Sequence, residues 1–204
     1  VTFIFNTSVI DIIDFNLKKR VSCSNGMNID ADAIVIGVGV KPNTKLAEDA
    51  KLECMNGIIV DKNGQTSDAN IFAAGDCTNH PNEVYNRRLR LESVHNAVEQ
   101  AKTVAASICG EQKPYSQVPW FWSDQYNIKL QIAGISDGYD EYVIRGNPYK
   151  EKFSTFYLKD KILISVVAIN DQYSYLKGKK LISLRARISK DILENMKIDL
   201  KELI

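Results

Sequence analysis

Four short segments carry the residue types most able to do chemistry. In "IFAAGDCT", an apolar run from Ile71 to Ala74 stops at Gly75 and Asp76. A glycine lets another molecule approach the backbone, and open α/β sheets bind ligands at the carboxyl ends of their strands. A carboxylate there can accept hydrogen bonds from ribose or ribityl hydroxyls; the same Gly-Asp pair also makes an ordinary turn. In "RLESVHNAVEQAK", Glu92, Ser93 and Val94 open a helix less than twenty residues after Asp76. Free amides and a partial positive charge at that tip suit a group that becomes anionic. In "VPWFWSDQ", Trp120, Phe121 and Trp122 are consecutive. Strand neighbours point to opposite faces, so the three cannot share one core, and at least one is expected at a domain seam or beside a planar ligand. In "NRRLRLE", Arg87, Arg88 and Arg90 form a local basic cluster, either a solvated loop or a dock for an acidic protein.

The elements that must hold these segments are readable from periodicity. Residues 8–37 read as strands joined by tight turns, Asn25-Gly26 being one. "AIVIGVGV" (Ala33–Val40) reads as a buried strand, followed by a short helix from Lys45 to Ala50 that Thr44 could cap. Asn56-Gly57 and Asn63-Gly64 bracket "IIVD" as a short hairpin. Over residues 92–109, Val94, Ala97, Val98, Ala101, Val104, Ala105 and Ile108 recur at three- and four-residue steps. That spacing predicts a helix packed by its apolar stripe, with Ser93 as N-cap and Gly110 beyond its end. Beyond Pro114 the pattern becomes several antiparallel strands and then helices around 174–183, 190–196 and 200–204, an α+β arrangement.

Composition narrows the function classes. A net charge of +1 gives no global argument for nucleic acid or an anionic membrane. No apolar run approaches a membrane span, and no signal-peptide pattern opens the chain. Cys23, Cys54, Cys77 and Cys109 are scattered, with no CxxC pair, zinc spacing or disulfide framework. They read as buried reduced thiols of a cytoplasmic protein, Cys77 beside Asp76 included, and with only His80 and His95 besides no metal site is expected.

Four segments in this order, "IDADAIVIGVGVKPNTKLA", "NIFAAGDC", "RLESVHNAVEQAK" and "VPWFWSDQYNIKLQIAG", make the chain resemble the FAD-dependent ferredoxin reductases, a family that includes putidaredoxin and rubredoxin reductases. The resemblance covers nearly the whole chain and implies several things. Asp76 would hold the ribityl chain of FAD beside Gly75. The helix opened by Glu92, Ser93 and Val94 would meet the pyrimidine edge of the flavin, and Trp120, Phe121 and Trp122 would line its ring. The fold implied is α/β and α+β: a partial FAD/NAD(P)-binding Rossmann-like domain, then a C-terminal domain of antiparallel sheet plus helices. Residues 1–35 would be the closing strands of the NAD(P)H-binding domain, 36–117 the second half of the FAD-binding domain, and 118–204 the C-terminal reductase domain, of the dimerisation or interface type. The partner implied is a ferredoxin or rubredoxin-type acceptor, for which Arg87, Arg88 and Arg90 are docking candidates. An NADH oxidase or nitrite-reductase-associated flavoprotein, or an isolated interaction module, is the alternative. The chain opens in mid-strand at Val1 and lacks both Gly-rich nucleotide fingerprints of the family, so it reads as the back half of a reductase. By itself it is expected to hold FAD weakly and to be inactive.

Overall fold

The computed structural model describes residues 1–204, which divide into two compact units, Val1–Val40 and Lys41–Ile204. The first unit is an antiparallel meander of β1 (Val9–Phe15), β2 (Lys18–Cys23) and β3 (Asn28–Ala31). Asn16 and Leu17 both take positive φ between β1 and β2, and Gly26 does so between β2 and β3, so two tight turns set the register. Arg20 on the middle strand donates from Nε and Nη2 to Asp30 on β3, at 2.6 and 2.7 Å. The expected buried strand at Ala33–Val40 does not form. It has no regular structure, and Val35, Ile36, Val38 and Val40 are exposed. An apolar run becomes a strand only where another strand offers its backbone groups, and here none pairs with it.

The second unit begins with α1 (Lys45–Asp49) and a small sheet of β4 (Ile58–Ile59), β5 (Thr78–Asn82) and β6 (Arg87–Leu89). Asn56 and Gly57 turn as expected, both at positive φ, and "IIVD" folds back across that turn: Ile58 bridges Cys54 antiparallel, and the Ile59 amide donates to the Glu53 carbonyl at 2.9 Å. β4 also runs parallel to β5, Ile58 beside Thr78 and Ile59 beside Asn79. The expected strand through Ile71–Ala74 is also reduced to a single bridge between Gln65 and Phe72. The helix α2 (Val94–Ile108) follows, capped by Ser93 as expected, with Gly110 at φ +80° past its end.

The buried face of α2 is turned away from the expected one, of whose stripe Ala97 and Val104 alone are half-buried. Asn96, Gln100 and Thr103 are buried, whereas Val94, Val98 and Ile108 are exposed. The reason is the neighbour, which is irregular backbone rather than a sheet and needs hydrogen-bond partners more than apolar cover. Gln100 accepts from the Gly75 amide at 2.7 Å, Asn96 donates to the Leu91 carbonyl at 3.1 Å, and Ser107 donates to the Asn63 carbonyl at 3.0 Å.

Residues 120–204 build a five-stranded antiparallel sheet from β7 (Trp120–Gln125), β8 (Ile128–Gly134), β9 (Glu141–Asn147), β10 (Lys152–Lys159) and β11 (Ile162–Ile169), in the order β7-β8-β11-β10-β9. Trp120, Ala133, Val166, Phe156 and Val143 align in one row across all five strands. Helix α3 (Gln172–Ser183) covers that row, Leu181 and Ile182 being fully buried, and α4 (Lys190–Glu194) packs by β9. Gly178 allows the close approach of α3, since a Cβ there would lie 2.8 Å from a Val166 methyl. No helix is long and apolar enough to cross a membrane.

Candidate functional site

The turn at residues 75–78 explains how Asp76 is presented. Gly75 takes φ +91°, which favours glycine, and its carbonyl accepts from the Thr78 amide at 3.0 Å and the Thr78 hydroxyl at 2.8 Å. With the Gly75 amide fixed to Gln100, Asp76 is carried outward on a pinned turn, and no hydrogen bond within the chain engages its carboxylate. Gly75 is both turn residue and anchor.

Arg90 joins this turn to the helix tip. Its Nη1 donates to the Asp76 carbonyl at 3.4 Å and to Glu92 Oε1 at 2.6 Å, and its Nε donates to Asn56 Oδ1 at 3.1 Å. At the tip, Ser93 is extended, and its Oγ accepts from the Asn96 amide at 3.1 Å. The amides of Val94 and His95 have no acceptor within the chain, so two donors and the positive end of a fifteen-residue helix remain available there.

The third wall comes from β7. Asp76, Glu92, Ser93, Val94, Phe121 and Trp122 line one cavity of about 330 Å³. Six of the eight candidate residues thus meet around a common space. Gly75 lies behind the turn rather than on the wall. Trp120 departs from the expectation: it belongs to the row beneath α3, with its ring 5.0 Å from Trp122 and 6.3 Å from Tyr175. A neighbouring cavity of about 420 Å³ is lined by Trp120 and Trp122 with Asp124, Lys129 and Gln131. Trp122 therefore stands between the two spaces, 46 % exposed.

The arginine cluster is not an unpartnered basic patch. Arg88 points inward, donating to Asn79 Oδ1 at 3.1 Å, to the Val60 carbonyl at 2.6 Å and to the Asn79 carbonyl. Arg90 is the brace just described. Arg87 pairs with Asp137 at 2.7 Å and keeps the more exposed guanidinium. The cysteines also differ from expectation: only Cys23 is buried, Cys54 and Cys77 are half-buried, and Cys109 is exposed.

Two residues at the site escaped the sequence reading. Gln100 fixes the turn from the inward side of α2. His95, in the first turn of α2, lies 5.4 Å from the Trp120 ring with its Nδ1 buried and without a partner. Burial, helped by the nearby Lys179 ammonium, pushes the His95 pKa down. The available signal was period: Asn96, Gln100 and Thr103 recur at helical spacing exactly as an inward face does, but in polar residues.

The pyridine nucleotide-disulphide oxidoreductase model matches residues 1–101, and the reductase C-terminal model matches residues 120–204. Putidaredoxin reductase of Pseudomonas putida is 39% identical over 184 residues, which are 90% of this chain and 44% of that protein. Rhodocoxin reductase of Rhodococcus erythropolis is 39% identical over 181 residues, 89% of this chain and 42% of that protein. Among solved structures, the ferredoxin reductase for the CYP199A2 system of Rhodopseudomonas palustris superposes with a TM-score of 0.90 at 38% identity, covering 96% of this chain and 49% of that one. The chain spans about half the length of these relatives. It belongs to the FAD-dependent ferredoxin reductase family of the pyridine nucleotide-disulphide oxidoreductases.

Proposed function

We propose that the chain is the cofactor- and acceptor-facing part of a flavoprotein oxidoreductase that passes electrons from NAD(P)H through FAD to a ferredoxin or rubredoxin-type protein. The observation that carries this reading is the meeting of Asp76, the α2 tip and the Phe121–Trp122 pair, from three separated segments, around one cavity. The donor set suits FAD. Asp76, with its carboxylate unengaged, would accept from ribityl hydroxyls; the amides of Val94 and His95 would face the pyrimidine edge; Phe121 and Trp122 would flank the ring and keep water from it. When bound, FAD supplies the conversion of a two-electron donor into one-electron steps.

The chain's own contribution is position and field. The Gly75 turn, held by Gln100, keeps the Asp76 carboxylate in place, and the Arg90 brace keeps turn and helix tip at one separation. The partial positive charge of α2 stabilises negative charge that develops at its end. We assign residues 1–35 to the close of an NAD(P)H-binding domain, 36–117 to part of the FAD-binding domain and 118–204 to the reductase domain, and we place the protein in the cytoplasm. Among solved relatives is a covalent putidaredoxin reductase–putidaredoxin complex, matched at TM-score 0.90 and 37% identity over 97% of this chain. An iron–sulfur protein as acceptor fits that likeness, with Arg87 the remaining docking candidate.

The test is made on the whole protein. Asp76→Ala removes hydrogen bonds to a charged group, about 1.5–3 kcal/mol, so flavin affinity should fall roughly ten- to a hundredfold while the fold is kept. Unchanged flavin retention refutes the role of Asp76. NAD(P)H-driven reduction of a ferredoxin should outpace reduction of oxygen; fast turnover with oxygen alone overturns the acceptor assignment.

A further inference from the structure

The edge strand β9, Glu141–Asn147, lies at the far end of the five-stranded sheet from the tryptophans. One side pairs with β10, and the other leaves its backbone donors and acceptors without a strand. Three features make it unusual. On one face, Tyr142 and Ile144 are 52 % and 48 % exposed, and Tyr139, Tyr142 and Tyr157 form an aromatic cluster with centroids 5.0–6.4 Å apart. On the other face, Arg145 is 7 % exposed, and its guanidinium donates to the carbonyls of Leu193, Asn195 and Ile198, at 2.9, 3.0 and 2.5 Å. It is a buried cation with no carboxylate. Four residues earlier on that face, Glu141 is exposed and in no ion pair. A groove of about 460 Å³ runs along the edge, lined by residues 140–144 with Lys190 and Glu194 of α4.

We propose that two copies of the chain pair through β9, antiparallel about a two-fold axis at Val143. That register sets each residue opposite its mirror about position 143. Glu141 of each copy faces Arg145 of the other, supplying twice the carboxylate that the buried guanidinium lacks. On the opposite face Tyr142 meets Ile144, also twice, an aromatic–β-branched pair of the kind that stabilises neighbouring strands. Both sets of complementary partners arise from a single centre. A shift of the centre by one residue, to Tyr142 or to Ile144, would set Arg145 opposite Tyr139 or Val143, leaving both cations unpaired. The exposed edge is thereby closed by an isologous contact, and two five-stranded sheets become one. This surface lies apart from the cavity, so the inference stands or falls independently of the flavin reading.

The experiment measures association of the whole protein by sedimentation velocity over a concentration series. The native protein should dimerise, and Glu141→Lys, which sets like charges opposite each other, should raise the dissociation constant by at least about a hundredfold. Glu141 is exposed, so that variant should fold as the native protein does. Register is read by cross-linking in a Cys109→Ser background: Tyr142→Cys mixed with Ile144→Cys should oxidise to a disulfide-linked dimer much faster than either variant alone. A native protein that stays monomeric throughout, a Glu141→Lys dimer as tight as the native one, or a mixture that links no faster than its components each overturns the proposal.

Discussion

Replacing Gln100 with leucine removes the single side chain that fixes the Asp76 turn from behind. Gln100 is 4 % exposed, and its Oε1 accepts from the Gly75 amide at 2.7 Å and from the Thr78 hydroxyl at 2.8 Å. The two donors respond differently. The Thr78 hydroxyl has one proton and a second acceptor in reach, the Gly75 carbonyl at 2.8 Å, so it keeps a partner. The Gly75 amide has none, and leaving a buried donor unpaired costs about 1–3 kcal/mol. Leucine is close to glutamine in size, so no large cavity opens and the cost stays near that of the orphaned amide. Taking about 2 kcal/mol, exchange of the Gly75 amide with deuterium should quicken by roughly thirtyfold, and the melting temperature should fall by about 4–8 °C. Amide exchange followed by NMR is the assay, because it reports on the turn itself. Gly75 exchange that stays within about threefold of native, less than roughly 0.7 kcal/mol, would refute the claim that Gln100 holds the turn.

Stability should fall with acid through His80. Its ring is 1 % exposed, neither nitrogen has a partner, and burial with the Arg88 charge nearby lowers its pKa to about 4. The unfolded chain binds this proton near pH 6.5, so between about pH 6.5 and 4 the unfolded state holds more protons and stability drops by up to about 1.4 kcal/mol per pH unit. Urea unfolding of native protein and His80→Phe should diverge across that window, and equal slopes would contradict it. Tyr85→Phe should cost about 1–3 kcal/mol in urea unfolding, since the buried hydroxyl donates to the Ile164 carbonyl at 2.8 Å and accepts from the Ile135 amide at 2.7 Å. A loss under 0.5 kcal/mol, on the order of ordinary surface changes, would show that the hydroxyl holds nothing. Asp171→Ala should lower stability by about 1 kcal/mol, because one carboxylate oxygen caps α3 at the Ser174 amide and the other accepts from Ser154. Thermal melting checks it, and an unchanged midpoint would dismiss the cap.

Local codes were legible wherever the determining contacts are close in sequence. Ser93 caps α2, Asn25-Gly26 turns the meander, and the Asp160–Lys161 pair at positive φ joins β10 to β11. The same holds for the antiparallel strands expected beyond Pro114 where they adjoin in sequence, β7 with β8, β9 with β10 and β10 with β11. Where the partner is remote, the local pattern does not name it. "IIVD" folds back across Asn56-Gly57 as its turn signal implies, but its second pairing, to β5 about twenty residues on, has no local signal, and "AIVIGVGV" pairs with no strand. Apolar character states that a segment seeks burial, and it does not state against what.

At the site, residue chemistry was fixed by sequence: a glycine able to take φ +91°, a carboxylate after it, a serine-capped helix and a run of aromatics. Only tertiary structure decided which of these meet. It set Phe121 and Trp122 on the cavity wall and left Trp120 at the end of the row to Val143 beneath α3, beside Trp122 on the same strand face. It also turned the polar side of α2 inward, where Gln100 accepts from the Gly75 amide and Ser107 donates to the Asn63 carbonyl, groups that the bonds within residues 61–78 leave over. Identity and local conformation are encoded within a few residues, whereas the pairing of unsatisfied groups is settled by the whole fold.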